Sequence, residues 1–391
     1  MYKLLEDMRI LDLTRLLPGG YATQLLGDLG AEVLKVEDPW QGDYMRWMEP
    51  HFEGTKESAL FWGLNRNKKS MKLNLKTSEG REIFFKLIEK YDIVIEGFRP
   101  GVMDRLGIGY ERLGEINQRI IMCSISGYGQ DGPYKDRSGH DLNYTALAGS
   151  LGLTGIQAGQ PVIPALQIAD LGGGAFPAVV GILAACLERE KTGRGKYIDV
   201  SMLDGVVSWM TMLFMQIACG DPTVKRGEGF LGGGVPCYNL YLTKDGKYMA
   251  LGALEEIFWH RFCTSVQREE LIKEQFSREK QIKMEVEKIF ASKTREDWVK
   301  FFKNEDICCE PVLEPEEIKQ HPQIQSRKLF QRMMHPTVGP VEVTANPLKF
   351  KTVETEADKI PPAFGENTLE VISALGYTSE QISQLSKKNI I

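Results

Sequence analysis

Histidine is scarce in this chain, with five residues in 391. Cysteine is present but without pattern. The seven cysteines, at 123, 186, 219, 237, 263, 308 and 309, form no Cys-x-x-Cys pair and are odd in number. That argues against a zinc site or a disulfide framework and for a reducing, cytoplasmic setting. No run of about 18 apolar residues is evident, so no membrane span is expected. The charged start, Met1-Tyr2-Lys3-Leu4-Leu5-Glu6, has no signal-peptide core. A net charge of −5 gives no general attraction to nucleic acid, so any polyanionic ligand must meet a local basic patch. The turn after the first predicted strand has glycines only at 19 and 20. It lacks the GxGxxG spacing, which leaves a conventional dinucleotide site unsupported. No internal repeat or low-complexity tract occurs.

The length allows two domains, each with its own core. Arg9–Leu13 reads as a buried strand, a helix follows to about Leu29, and Glu32–Glu37 reads as a second strand. Such a βαβ unit implies a parallel sheet and an α/β fold. Asp92–Glu96, Ile120–Ser126 and Tyr197–Met202 read as further strands, and Thr77–Lys90 as a helix. Between them, Arg66–Lys76 carries five cations in eleven residues, either a phosphate patch or a solvated face. Arg99 falls beyond the carboxyl end of a strand, where open α/β sheets bind ligands; a purely structural arginine is the alternative.

From Val206 the texture changes. Trp209–Cys219 reads as a buried helix, and Tyr238–Leu242 and Lys247–Leu251 as a hairpin around Asp245-Gly246. Glu270–Phe302 is helical and charged, Pro311–Pro347 reads as an extended return linker, and two short helices end the chain. The expected organisation is a large domain over 1–205, a linker helix over 206–235, a small α+β domain over 236–325, and a return segment over 326–391 completing the large domain.

The stretch from Ser138 to Gly174 carries the chemistry. His140 sits in a Gly-flanked polar segment where a helix begins, and Asp170 precedes three glycines that open another. An imidazole and a carboxylate so placed can exchange protons with a carbon acid between them. Free backbone N–H groups at the glycine-rich helix start could stabilise an oxyanion. Otherwise the histidine fixes a turn and the aspartate caps a helix.

Several segments together resemble the family III CoA-transferases, a group that includes formyl-CoA transferases and α-methylacyl-CoA racemases. They are LDLTRLLPGGYATQLLGDLGAEVLKVE, NRNKKSMKLNLK, EGFRPGVMDRLGIGYERL, SISGYGQDGPY, TGRGKYIDVSMLDG, CCEPVLEPEEIKQHPQI and FGENTLEVISALGY. Gly139-His140-Asp141-Leu142-Asn143-Tyr144 is similar to the racemase signature of that family. The resemblance implies a Rossmann-like large domain and a smaller α+β domain, in ring-shaped subunits interlocked as a homodimer. It implies an acyl-CoA ligand, no cofactor beyond its CoA moiety, and no metal, nucleic acid or membrane partner. Catalytic roles fall on His140, Asp170 and Glu255. CoA contacts fall on Arg15, Lys72, Leu73, Asn74, Leu75, Gly97, Phe98, Arg99, Arg105, Gly139, Asp141 and Tyr144.

The chain departs from the family pattern at Glu37-Asp38-Pro39-Trp40, which lacks an arginine after the second strand. Arg46 or Lys68 is left as the substitute for one adenine or phosphate contact. Asn367 replaces a histidine in the tail, and Pro164-Ala165-Leu166-Gln167-Ile168 lacks the asparagine that racemases carry near their aspartate. Two chemistries stay open: racemisation of a 2-methylacyl-CoA through an enolate by the His140/Asp170 pair, and CoA transfer between acids with Asp170 as nucleophile.

Overall fold

The computed structural model describes residues 1–391. Its chain forms two compact units, one of residues 1–148, 166–208 and 325–391, the other of 149–165 and 209–324.

In the first unit, strands β1 (Arg9–Leu13), β2 (Glu32–Glu37), β3 (Lys68–Lys72), β4 (Ile93–Glu96), β5 (Ile121–Ser126) and β6 (Tyr197–Ser201) form one sheet. The spatial order is β3-β2-β1-β4-β5-β6 and every pairing is parallel. Successive side chains of a strand face opposite sides, so the sheet has two cores. Ile10, Val33, Ile93, Ile95 and Ile121 pack under helix α1 (Leu16–Asp28) and the long helix that ends at Thr192. Leu11, Leu34, Met71, Val94 and Met122 pack under helix α2 (Ser78–Ile88), helix α3 (Tyr110–Ile116) and the two C-terminal helices. Burial of one such side chain stabilises by roughly 1.5–3 kcal/mol. The strand order reverses between β1 and β4, and ligands of such sheets bind in the crevice that opens there.

Within the cationic stretch before α2, Arg66 and Lys68 are buried in ion pairs, whereas Lys69 and Lys76 lie nearer the surface. Lys68–Lys72 is β3. Arg66 grips Asp28 with two bonds of 2.8 and 2.5 Å and donates a third to the Thr344 carbonyl. Lys68 reaches Asp12 at 3.3 Å and Asn65 at 2.8 Å, and Lys69 pairs with Glu370.

Two further expectations are corrected, and one helix needs an account. Residues 149–165 leave the large unit for the second, where the Arg226 guanidinium binds the Gly152 and Gly159 carbonyls. Pro311–Pro347 is not simply extended, because Phe330–His335 and Gly339–Thr344 pair as an antiparallel hairpin belonging to the first unit. Ala169–Thr192 is a continuous 24-residue helix of mean hydropathy 1.7, long and apolar enough to cross a membrane by length and composition. Its Ala175, Ala178, Ile182 and Ala185 pack in the sheet core, which accounts for that apolarity.

The second unit is built on β7 (Tyr238–Leu242), β8 (Tyr248–Gly252) and β9 (Cys309–Pro311), paired antiparallel. Gly246 supplies the positive φ of the β7–β8 turn, as the Asp-Gly pattern predicted. Trp259, Phe262, Phe290 and Trp298 fill its core, with ring centroids 5.3–5.6 Å apart.

Removing one partner of a buried ion pair strands the other charge. Arg66→Ala should therefore cost about 3–5 kcal/mol and lower the urea midpoint, and a further Asp28→Ala change should recover much of the loss. An unchanged midpoint in the single variant contradicts the role assigned to this pair.

Candidate active site

The crevice at the sheet reversal is a cleft of about 600 Å³. The turn after β1 brings Thr14 and Arg15 to it. The turn after β4 brings Gly97, Phe98 and Arg99, and that after β5 brings Gly127 and Tyr128. Gly19 is required by packing, since a Cβ there would lie 2.2 Å from the Thr14 side chain.

The loop after β5 ends at helix α4 (Asp141–Leu147), with His140 as its N-cap. The His140 backbone N–H donates to Asn143 Oδ1 at 3.0 Å, and its exposed ring lines the cleft. Tyr144 holds this loop in place. Its hydroxyl donates to the Gly139 carbonyl at 2.5 Å, and its buried ring leaves no room for a Cβ at Gly127 or Gly139.

Asp170 lines the same cleft. It sits in the first turn of a π-helix, Ala169–Ala175, which continues directly into helix α5 (Phe176–Thr192). Single π-turns inside helices often mark functional sites. The glycines of this turn pack backbone against backbone: a Cβ on Gly205 would lie 2.2 Å from the Gly173 carbonyl oxygen. Asp170 is half-buried. Burial, and then the Asp141 charge beside it, push its carboxyl up from 3.8 to about 7.

The structure gathers most of the residues expected to act together. His140, Asp170, Arg15, Gly97, Phe98, Arg99, Gly139 and Tyr144 line one cleft. Leu73, Asn74 and Leu75 line an adjoining cavity of about 530 Å³ that shares Thr14, Arg15 and Phe98 with the first. Arg105 lies in neither; it lines a third cavity with Arg99 and the buried Glu96. Lys72 lines none of the three, its amino group resting 4.5 Å over the Phe364 ring. Glu255 belongs to the second unit, as N-cap of helix α6 (Glu256–Ser265).

Other expectations are overturned. Asp141 does not line the cleft. Its Oδ1 accepts the N–H groups of Ala169 at 2.6 Å and Asp170 at 3.1 Å. The Leu171 N–H donates to the Gln167 carbonyl. The N–H groups of Ala169, Asp170 and Leu171 are therefore occupied and are not available to an oxyanion. Neither proposed substitute for the missing arginine is free. Arg46 is buried on Glu37 and stacked 3.8 Å over Phe61, and Lys68 is buried on Asp12. Asp38 itself pairs with Arg15 at 3.0 Å.

Sequence reasoning missed Lys135 and Arg137, which line the cleft beside Arg15 and Arg99. The cleft lining thus carries four cations and one aspartate, with Arg15 also paired to Asp38. The signal was a Lys-Asp-Arg run just before His140, in a loop following a strand.

Residues 5–368 match the family model described as CoA-transferase family III. The chain belongs to that family. Succinyl-CoA:glutarate CoA-transferase of Homo sapiens is 34% identical, covering 100% of this chain and 90% of that protein. Alpha-methylacyl-CoA racemase of Mus musculus is 33% identical, covering 99% and 97%. A formyl-CoA:oxalate CoA-transferase of Escherichia coli is 30% identical, covering 99% of each. The crystal structure of a CAIB/BAIF family protein from Brucella suis superposes with a TM-score of 0.82 at 27% identity, covering 96% of this chain and 100% of that one. The chain is thus an enzyme of the family III transferase and racemase group, carrying the α/β architecture of its CAIB/BAIF relatives.

A carboxyl whose folded pKa exceeds its unfolded value binds more protons in the folded state between the two values. Folding stability contributed by Asp170 therefore falls as pH rises from about 4 to about 7. The melting temperature of Asp170→Asn relative to the parent should climb over that window and level off above it. A difference independent of pH contradicts the raised value.

Proposed function

We propose that this enzyme is an acyl-CoA racemase acting on 2-methylacyl-CoA thioesters. The observation carrying the reading is that an imidazole, His140, and a carboxyl raised to about 7, Asp170, line one cation-rimmed cleft. A carboxyl with a pKa near 7 is suited to giving and taking protons, whereas a carboxylate nucleophile needs only to stay ionised.

The thioester α-carbon binds between His140 and Asp170, and the CoA phosphates lie toward Arg15, Arg99, Lys135 and Arg137. One carrier removes the α-proton, and the electron pair passes to the thioester oxygen as a planar enolate. The other carrier delivers a proton to the opposite face. Reprotonation inverts the centre and leaves the two carriers with exchanged protonation states. The steps call on no group beyond the CoA moiety of the substrate.

CoA transfer remains the second reading, favoured by the 34% identity to a glutarate transferase. There Asp170 would attack the thioester carbonyl and carry the acyl group as a mixed anhydride while CoA leaves.

The proposal extends to a cytoplasmic, interlocked homodimer. Phe176, Val180 and Leu187 on α5, and Leu142 and Leu147 on α4, are exposed apolar side chains that a second copy would cover. Glu255 belongs to the reading as a residue that tunes the histidine. Light scattering of the purified 44.1 kDa chain should give a mass near twice that value at every concentration that remains folded. A folded monomer rejects the assembly.

The chemistry is decided by proton NMR of a chiral 2-methylacyl-CoA in D2O. The parent enzyme should incorporate deuterium at the α-carbon while interconverting the enantiomers. His140→Ala should lose interconversion by at least ~100-fold while exchanging the single enantiomer whose proton faces Asp170. Acyl capture on Asp170 by hydroxylamine, with no α-deuterium and with turnover dependent on a free acid, would establish transfer in its place.

A further inference from the structure

The N–H groups in the first turn of a helix have no partners within it. The residue preceding the π-helix is Ile168, whose side chain has no polar atom to supply one. The Asp141 carboxylate meets that need from 29 residues away, binding the Ala169 and Asp170 N–H groups through a single oxygen. Asp141 is also the first residue of α4, bonded directly to His140. One side chain thus ties the backbone of the histidine to the backbone of the aspartate.

We infer that Asp141 is a positioning residue, its carboxylate setting the placement of Asp170 relative to His140 and keeping a negative charge beside the reacting carboxyl. The inference builds on the racemase reading only in naming the reaction that Asp170 serves.

The charge argument requires Asp141 to dominate its surroundings. Helix α4 and the loop before it present His140, Tyr144 and Tyr128 to this region, and the cations Arg15, Arg99, Lys135 and Arg137 line the cleft. Packed against the π-helix from other sides, α1 carries Tyr21 and Asp28, β5 carries Cys123, and β6 carries Tyr197 and Asp199. Burial, and then the Asp141 charge held beside it by those two hydrogen bonds despite the repulsion, push the Asp170 carboxyl up.

Two substitutions separate the roles. In Asp141→Asn the amide oxygen still accepts both N–H groups but the charge is gone. In Asp141→Ala both the charge and the acceptor are gone. The Asp170 carboxyl is followed by carbon-13 NMR titration of the full chain, assigned by its disappearance in Asp170→Asn. Amide exchange of the segment 166–175 is followed by mass spectrometry.

Asp141→Asn should lower the Asp170 titration while leaving amide exchange as in the parent. Asp141→Ala should speed exchange at Ala169 and Asp170 at least about tenfold and reduce kcat with little change in KM. An unshifted Asp170 titration in Asp141→Asn overturns the charge role, and unchanged exchange in Asp141→Ala overturns the clamp. If the alanine variant fails to fold, the asparagine variant still decides by its titration. Neither physical readout uses a substrate, so an enzyme that proves to be a transferase leaves this test standing.

Discussion

The carboxylate of Asp12 is the contact on which the ligand-binding side of the sheet depends. It lies fully buried at the end of the central strand. One oxygen accepts the Thr14 N–H and hydroxyl, and the other accepts the Thr23 hydroxyl and faces Lys68. Lys35, equally buried, donates to the Thr14 carbonyl and pairs with Asp43, which in turn accepts the Leu16 N–H. Leu16 has a φ of 61°, a left-handed conformation that a leucine adopts only when its surroundings impose it. These groups impose it, and the result is a turn that ends with Arg15 in the cleft. Dry ion pairs are poor sources of net stability. Here they act as a jig for a backbone shape. Burial pushes Lys68 down to about 8 even beside Asp12.

The strands and helices of the large unit were legible because each carries a clean local signal. The βαβ start, the 3.6-residue rhythm of α2 and the Asp-Gly turn of the second unit all lie where the sequence pattern puts them. The burial of Arg66 and Lys68 was hidden because local charge density says nothing about partners far along the chain. Asp28 and Thr344 lie 38 and 278 residues from Arg66, and only the folded sheet brings them to it. The same reason hid the role of Asp141. Its position next to His140 is visible in the sequence, but its bond to residue 170 depends on how two helices meet. The boundary at 149–165 was hidden because Arg226, which fixes that segment, is more than 60 residues away.

The relatives include transferases and a racemase, and the fold alone does not choose between the two readings of Asp170. What differs physically is the state required of that carboxyl. A nucleophile is best left ionised, whereas a proton carrier works best when its two forms are near balance at working pH. Burial against α5 and a neighbouring anion both move Asp170 toward balance. The surroundings of one side chain, more than the outline of the cleft, decide which chemistry is easy.

The π-turn at Ala169–Ala175 gives this wall of the cleft a property that side-chain chemistry does not. A helix advances about 100° per residue, from 3.6 residues per turn, and the π-turn absorbs an extra residue without interrupting the axis. The buried run of α5 and the placement of Asp170 are thereby in register through one widened loop of backbone. Loss of a single residue between Asp170 and Phe176 would let the turn relax to an α-helix. It would then turn the carboxyl roughly 100° about the helix axis relative to the core face of α5. Side chains around this wall can change without moving Asp170, but a change in its length moves it.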